Sequence, residues 1–386
     1  MPFNYISING NHSIKPSIWW ILILIVLGEI VFFLNYVLPY TPCEVGSEKE
    51  SISEKTDECL CNEENFCFPG FDENNQIKLG RPFSCRLYER LKDADLLDRD
   101  AKMAKNDFET LNATTWVPIF MTVVSSNHYK ESRPMLGTIM NEYPSAKVIY
   151  FDAGLTDQQA EEIQKWGNVD YRKFNFSIYP AHVPNLKTYA FKLAQIEVFK
   201  THKTFYYFDS SVRVKGKLNH LIGLQKKKLP PVVLSTQAVH SVYATAHPTT
   251  LEFFPIPKLI LEAPELEANS IFISDSTFTR YVFKWLFLCL MTEDCIAPIG
   301  SKVHCDIGKY KSDTYRRYIN CHRFDQAIFN ILHLSHMFGQ RGALKYNYLK
   351  ANWTKVDKSL VENFDSARME KIAYFARPIN IERFPE

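Results

Sequence analysis

The residues whose type and spacing suit them best for chemistry are acids at the ends of apolar runs. In "TFYYFDSSVRV", Thr204 to Val214, an aromatic run stops at Asp209, and Ser210 and Ser211 follow. Phe205 to Phe208 show no polar alternation, as expected of a parallel strand covered on both faces. A carboxylate at the C-terminal tip of such a strand lies where open α/β sheets bind ligands. Two roles fit Asp209: it holds a divalent metal or a ribose hydroxyl, or it caps an Asx-turn with the two serines assisting. Asp152, in "IYFDAG", has a similar setting and reads as a turn former. In "CHRFDQAIFNILHLSHMF", Phe324, Ile328, Ile331, Leu332 and Ser335 mark the buried face of a helix, which leaves Asp325 and Gln326 in its first turn. The helix dipole stabilises a carboxylate there, so a purely structural role also fits Asp325.

Alternating elements must position these groups. "WVPIFMTVVSS" (116–126), "AKVIYFDAGL" (146–155), "VDYRKFNF" and "KTFYYFDSSVRV" read as strands. Between them, "YKESRPMLGTIMNEY" reads as a helix whose start is marked by Pro134. "TDQQAEEIQKWG" is a helix with Thr156 as N-cap and Gly167 past its end. "NLKTYAFKLAQIEVFKTH" is one helix with Leu186, Tyr189, Ala190, Leu193 and Ile196 on a single face. This order implies an α/β fold, with a mostly parallel sheet flanked by helices. No G-x-G-x-x-G follows the first strand, where "SSNHYKE" stands, which argues against a dinucleotide-binding dehydrogenase.

The rest of the chain bears on location. In 386 residues, 46% are hydrophobic and 14% aromatic, enough for a substantial core. A formal net charge of +2 with no basic stripe gives no nucleic-acid footprint. The lysines around Lys226 read as a solvated loop, with a phosphate or lipid patch as the alternative. Ile18 to Leu38 is an almost unbroken apolar run bracketed by Trp19, Trp20 and Tyr40, the length and flanks of a transmembrane helix. Lys15 before it and acids after it predict a single-pass type II protein with its large C-terminal part in the lumen or outside. The expected division is a cytosolic tail (1–17), a signal anchor (18–38), a lumenal cysteine-containing stem (39–112) and a catalytic-type domain (113–386). Nine cysteines in two groups suit disulfides in an oxidising compartment, with Cys289, in "WLFLCLM", expected as a buried free thiol. Neither group has zinc-type spacing. Sequons begin at Asn112, Asn175 and Asn352, all beyond the span.

"YYFDSSVRV" resembles the strand-end acid motif of nucleotide-sugar transferases with the GT-A fold. Together with "VIYFDAGL", "YRKFNFSIYPAHV", "TYAFKLAQI", "CIAPIGSKVHC" and "YINCHRFDQAIFNILHL", it resembles a nematode-expanded family of glycosyltransferase-like membrane proteins with no settled activity. The resemblance implies a GT-A-like domain that uses a nucleotide-sugar donor and a glycan or glycoprotein acceptor. It implies Asp209, Ser210, Ser211, Lys192 and Arg323 on the donor, and Asp325 as general base. Gln326 and Asn269 belong to the acceptor side, and Asp209 with His322 to a Mn²⁺ or Mg²⁺. A solvated helix lysine is the alternative for Lys192. The chain departs from the Asp-x-Asp pattern, since Ser211 stands at the second carboxylate, and this puts metal dependence in question. A "YRWKP"-like block of relatives is "YAFKL" here, keeping Lys192 but with Ala190 at the arginine position. Cys321 is expected to pair with Cys295 or Cys305, pinning this loop to the sheet. A non-catalytic, membrane-anchored binding protein on the same scaffold is the alternative function.

Overall fold

The computed structural model describes residues 57–339, apart from 75, 103–110, 113, 215, 219–231 and 311–312. The chain divides into two compact units, 1–54 and 55–386, and the described residues all belong to the second. The expected anchor at 18–38, Cys43, the lysines around Lys226 and Asn352 lie outside the described residues. Among the described residues no helix is long and apolar enough to cross a membrane.

The core is a six-stranded sheet. Its strands are β1 (Ile119–Val124), β2 (Lys147–Asp152), β3 (Val169–Lys173), β4 (Thr204–Phe208), β5 (Val232–Ser241) and β6 (Pro264–Ser274), in the order β3-β2-β1-β4-β6-β5. β3, β2, β1 and β4 run parallel, whereas β6 is antiparallel to both β4 and β5. The expected α/β fold with a mostly parallel sheet is therefore present. All five residues of β4 are buried, because the sheet is covered on both faces. Tyr206 and Phe208 join Phe120, Val148 and Tyr150 under the helix α1 (Tyr129–Glu142). Phe205 and Tyr207 face the larger core with Met121, Ile149 and Phe151.

Two expected helices differ in detail. Pro134 lies inside α1 rather than at its start. Its missing N–H frees only a first-turn carbonyl, that of the exposed Lys130, which water can satisfy. The expected helix over 185–202 is broken. Leu186–Thr188 and Ala190–Leu193 are separate 3₁₀ turns, divided by Tyr189 at φ 58°, and only Ala194–Thr201 is α-helical. Thr188 Oγ1 donates to the Asn185 carbonyl and accepts from the Ala190 N–H, so side-chain hydrogen bonds replace the helical ladder there. The helix at Asp157–Gln164 starts with the expected Thr156, as a full capping box with Gln159.

The main described part of the expected stem, residues 57–102, packs into the domain. Disulfides Cys59–Cys67 and Cys61–Cys85 close loops within this segment, and Phe66, Phe68 and Phe83 are buried in the main core. Phe68 meets Phe254 and Trp285 edge-on, with ring centroids 5.1 and 5.3 Å apart. The backbones approach so closely that a Cβ at Gly70 would lie 1.9 Å from the Pro255 carbonyl oxygen, so only glycine fits. Lys284, buried in the helix Thr277–Leu290, clamps Glu64 and Asp98. Cys289 is no free thiol: the chain turns back after that helix and joins it to Cys295. Cys321 pairs with Cys305, one of the two expected partners.

Replacing Phe68 by Ala tests this packing. A core position predicts a loss of about 3–5 kcal/mol in urea unfolding. A residue on a tether would cost under about 0.5 kcal/mol.

Candidate active site

Three charged side chains from distant parts of the chain meet at the C-terminal end of β4. Asp209 immediately follows the strand, and its N–H donates to the Asn269 carbonyl of β6 (2.8 Å). Tyr207, two residues earlier on the same strand face, donates its hydroxyl to Asp209 Oδ1 at 2.5 Å. The left-handed turn at Tyr189 and the 3₁₀ turn after it carry Lys192 inward, where it is 2% exposed. Lys192 Nζ lies 2.7 Å from Asp325 Oδ2 and 3.6 Å from Asp209 Oδ1, and donates to the Ala268 carbonyl at 2.7 Å. The ring of Tyr207 sits below it, 4.8 Å from the ammonium. Lys192 is therefore a buried, paired lysine and not a solvated one.

Asp325 is the second residue of the helix Phe324–Gly339, called α2 here. Backbone bonds from His322 N to the Lys302 carbonyl and from Arg323 N to the Thr245 carbonyl fix its approach. Phe324, at φ 44°, turns the chain into the helix, and its ring lies 5.6 Å from that of Tyr189. Two bulky residues in left-handed conformation thus flank the same site, a costly arrangement that concentrates at functional positions. Burial pushes the Asp325 carboxyl up to about 6, although Lys192 beside it favours the ionised form. Burial works against the charge on Lys192, but Asp209 and Asp325 outweigh it and hold its pKa above the ordinary lysine range.

These groups line a pocket of about 100 Å³, which Tyr189, Asn269, Arg323 and Gln326 help to enclose. It has room for a small polar or anionic group, so a larger ligand would extend over its open rim. Arg323 enters no ion pair among the described residues, and its Nε is buried without a hydrogen-bond partner. Of the residues singled out by sequence, Asp209, Lys192, Asp325, Arg323, Asn269 and Gln326 come together here.

Others do not. Ser210 turns away and donates to Glu131 Oε2 at 3.2 Å, and neither it nor Ser211 lines the pocket. The tight turn closed by Val212 N and the Asp209 carbonyl swings both serines out. His322 borders the pocket but is not placed to bind metal. Its Nδ1 accepts from His247 N, its Nε2 faces Thr250, and burial lowers its pKa to about 3, so it is a neutral core group. Asp152 is a turn former as expected, accepting from Gly154 N, Leu155 N and Tyr171 Oη. The expected Mn²⁺ or Mg²⁺ does not fit the residues as they stand, because the Lys192 ammonium fills the space between the two carboxylates. Among the described residues no group of three metal-binding side chains forms. Tyr189, Tyr207 and Phe324 escaped the sequence reading. The i, i+2 spacing of Tyr207 and Asp209 was a usable signal, whereas nothing in the sequence marks the two left-handed turns.

Residues 51–196 match a family model described as "Protein of unknown function (DUF1647)". No curated protein matches the chain. Among solved structures, it is similar to the galactosyltransferase LgtC in complex with donor and acceptor sugar analogs. The identity is 15%, covering 55% of this chain and 70% of that one, with a TM-score of 0.32. Mouse xyloside xylosyltransferase 1 gives 10% identity, 57% and 82% coverage and 0.34. The bifunctional WbbM gives 13%, 56% and 0.34, and there the match spans only 37% of the other chain. The likeness is one of fold at most, and at TM-scores this low it transfers neither a substrate nor a reaction.

The charged cluster predicts strong coupling. Lys192→Met leaves two acids facing each other in a buried site and should cost about 3–5 kcal/mol. In an Asp325→Asn background the same change should cost markedly less, and a double-mutant cycle in urea measures the difference. Equal costs in both backgrounds would mean the pair is uncoupled.

Proposed function

We propose that this chain is a glycosyltransferase that moves a sugar from a nucleotide-sugar donor to a glycan or protein acceptor. The observation that carries this is the convergence of Asp209, Lys192, Asp325 and Arg323 on one pocket at the C-terminal end of a central parallel strand. Arg323 and Lys192 face the diphosphate and neutralise the charge that builds on it as the bond from sugar carbon to phosphate oxygen breaks. Asp325 accepts the proton of the acceptor hydroxyl as its oxygen bonds to the sugar. A carboxyl with a pKa near 6 suits that task better than an ordinary aspartate does. Asp209 takes the ribose side, and Asn269 and Gln326 take the acceptor side.

The apolar run Ile18–Leu38 supports a type II membrane anchor, with the catalytic unit in the lumen of the Golgi or at the cell surface. Four disulfides agree with an oxidising compartment. Asn112 and Asn175 are exposed, and each accepts from its own sequon hydroxyl at 2.7 Å, as suits glycan acceptors. One observation favours a non-catalytic, sugar-nucleotide-binding scaffold instead: Asp325 is already engaged by Lys192.

Turnover of a nucleotide-sugar panel separates the two readings. An enzyme should lose about 10²–10⁴-fold in kcat on Asp325→Asn while still binding nucleoside diphosphate. Because the base must be ionised, the rate should be full above about pH 6 and fall as the pH drops through that value. Binding without turnover of any donor would leave the scaffold. Arg323→Ala should weaken nucleoside-diphosphate binding by about tenfold or more, as expected when one charged contact is removed. Unchanged affinity would remove Arg323 from the donor site.

A further inference from the structure

We propose that the Lys192 ammonium is the resident cation of this pocket: it occupies the position between Asp209 and Asp325 that a divalent metal would take, and the site binds its anionic ligand without one. The identity of that ligand rests on the reading above, whereas the occupancy of the cation position does not.

The donor set is made of oxygen alone: a carboxylate from Asp325, a carboxylate from Asp209 and the Ala268 carbonyl. Hard divalent cations select such a set. Here it surrounds a nitrogen. The ammonium donates to the Ala268 carbonyl at 2.7 Å and lies 2.7 Å from Asp325 Oδ2 as an ion pair, although Oδ2 accepts no hydrogen bond. Asp209 Oδ1, at 3.6 Å, is beyond hydrogen-bond range, and it already accepts the Tyr207 hydroxyl. An ammonium has three donors and only the Ala268 carbonyl takes one in a hydrogen bond, so donor capacity remains for a group entering the pocket that Lys192 lines.

The surroundings are built for an organic cation. The ring of Tyr207 lies 4.8 Å from Nζ, and that of Tyr189 lies 5.9 Å away. Metal ions of this class want oxygen ligands on all sides, and an aromatic face offers none. A single ammonium supplies one positive charge where a metal supplies two. Arg323, on the pocket wall with a buried Nε and no ion-pair partner among the described residues, supplies the other. Together they match the charge that a divalent ion would bring to a diphosphate.

Two measurements on the full chain test this. Mn²⁺ alone is titrated and followed by electron paramagnetic resonance, and UDP and GDP are titrated by calorimetry in EDTA and in excess Mn²⁺. Wild-type protein should hold no Mn²⁺ that Asp209→Asn releases, and nucleotide affinity should be equal in both buffers within about twofold. Lys192→Ala should gain a Mn²⁺ site, visible also as a rise in melting temperature on adding Mn²⁺, and Asp209→Asn in that background should abolish it. A wild-type Mn²⁺ site lost with Asp209, or more than about tenfold tighter nucleotide binding in Mn²⁺, overturns the proposal. A folded Lys192→Ala that gains no site overturns it as well. If Lys192→Ala fails to fold, the wild-type titrations decide. If neither nucleotide binds in either buffer, the donor reading fails while the Mn²⁺ titrations still decide whether Lys192 holds the cation position.

Discussion

The rest of the structure depends on one buried ammonium. Lys192 is removed from water, and an unpaired charge there costs several kcal/mol. It is tolerated only because Asp325, Asp209 and the Ala268 carbonyl reach it from three other segments. Each must arrive in register. β4 has to end at Phe208, β6 has to pair Ser270 with Phe208, and the chain has to enter its last described helix through a left-handed Phe324. Well-packed apolar residues would fill the same space with no less stability, so an ion cluster is weak evidence for stabilisation as its purpose. Its position at the mouth of a pocket, between two strained turns, is what points to function.

Much of this was legible in the sequence. Buried strands read as apolar runs because both faces of the sheet are covered, and Asp209 stood out because a charge ends such a run. Apolar spacing in "CHRFDQAIFNILHL" put Asp325 in a first turn, where it lies. What failed to show were effects of tertiary context. Tyr189 breaks a sequence with good helical periodicity, and it does so without glycine, because Thr188 and Asn185 rebind the local backbone. Residues 57–102 carry their core aromatics on disulfide-closed loops, so no period of 2 or 3.6 reveals that Phe66, Phe68 and Phe83 are interior. Cys289 read as a free thiol because its apolar surroundings are real, while the turn that brings Cys295 back lies past the helix end.

The departure from Asp-x-Asp also acquires a physical meaning. A second acid two residues after Asp209 would follow the chain into its turn, and Ser211 does so, away from the pocket. The acid that does face Asp209 across the site comes from another helix and arrives with a lysine between them.

His322 completes this logic by staying neutral. It is fully buried one residue before Arg323, and burial drives its pKa down to about 3. As an uncharged ring, it accepts the His247 N–H and packs against Phe324 at 4.9 Å, holding the backbone that presents Arg323 and Asp325. The disulfide Cys305–Cys321 secures the same loop from its other side. The charge of the pocket is thus set by two cations and two acids, and burial brings one of the acids, Asp325, up to about 6. Protonating Asp325 removes one negative charge and strengthens the pull on an anionic ligand. In the proposed reaction the same proton also takes away the base, so tight binding and turnover would favour opposite sides of pH 6.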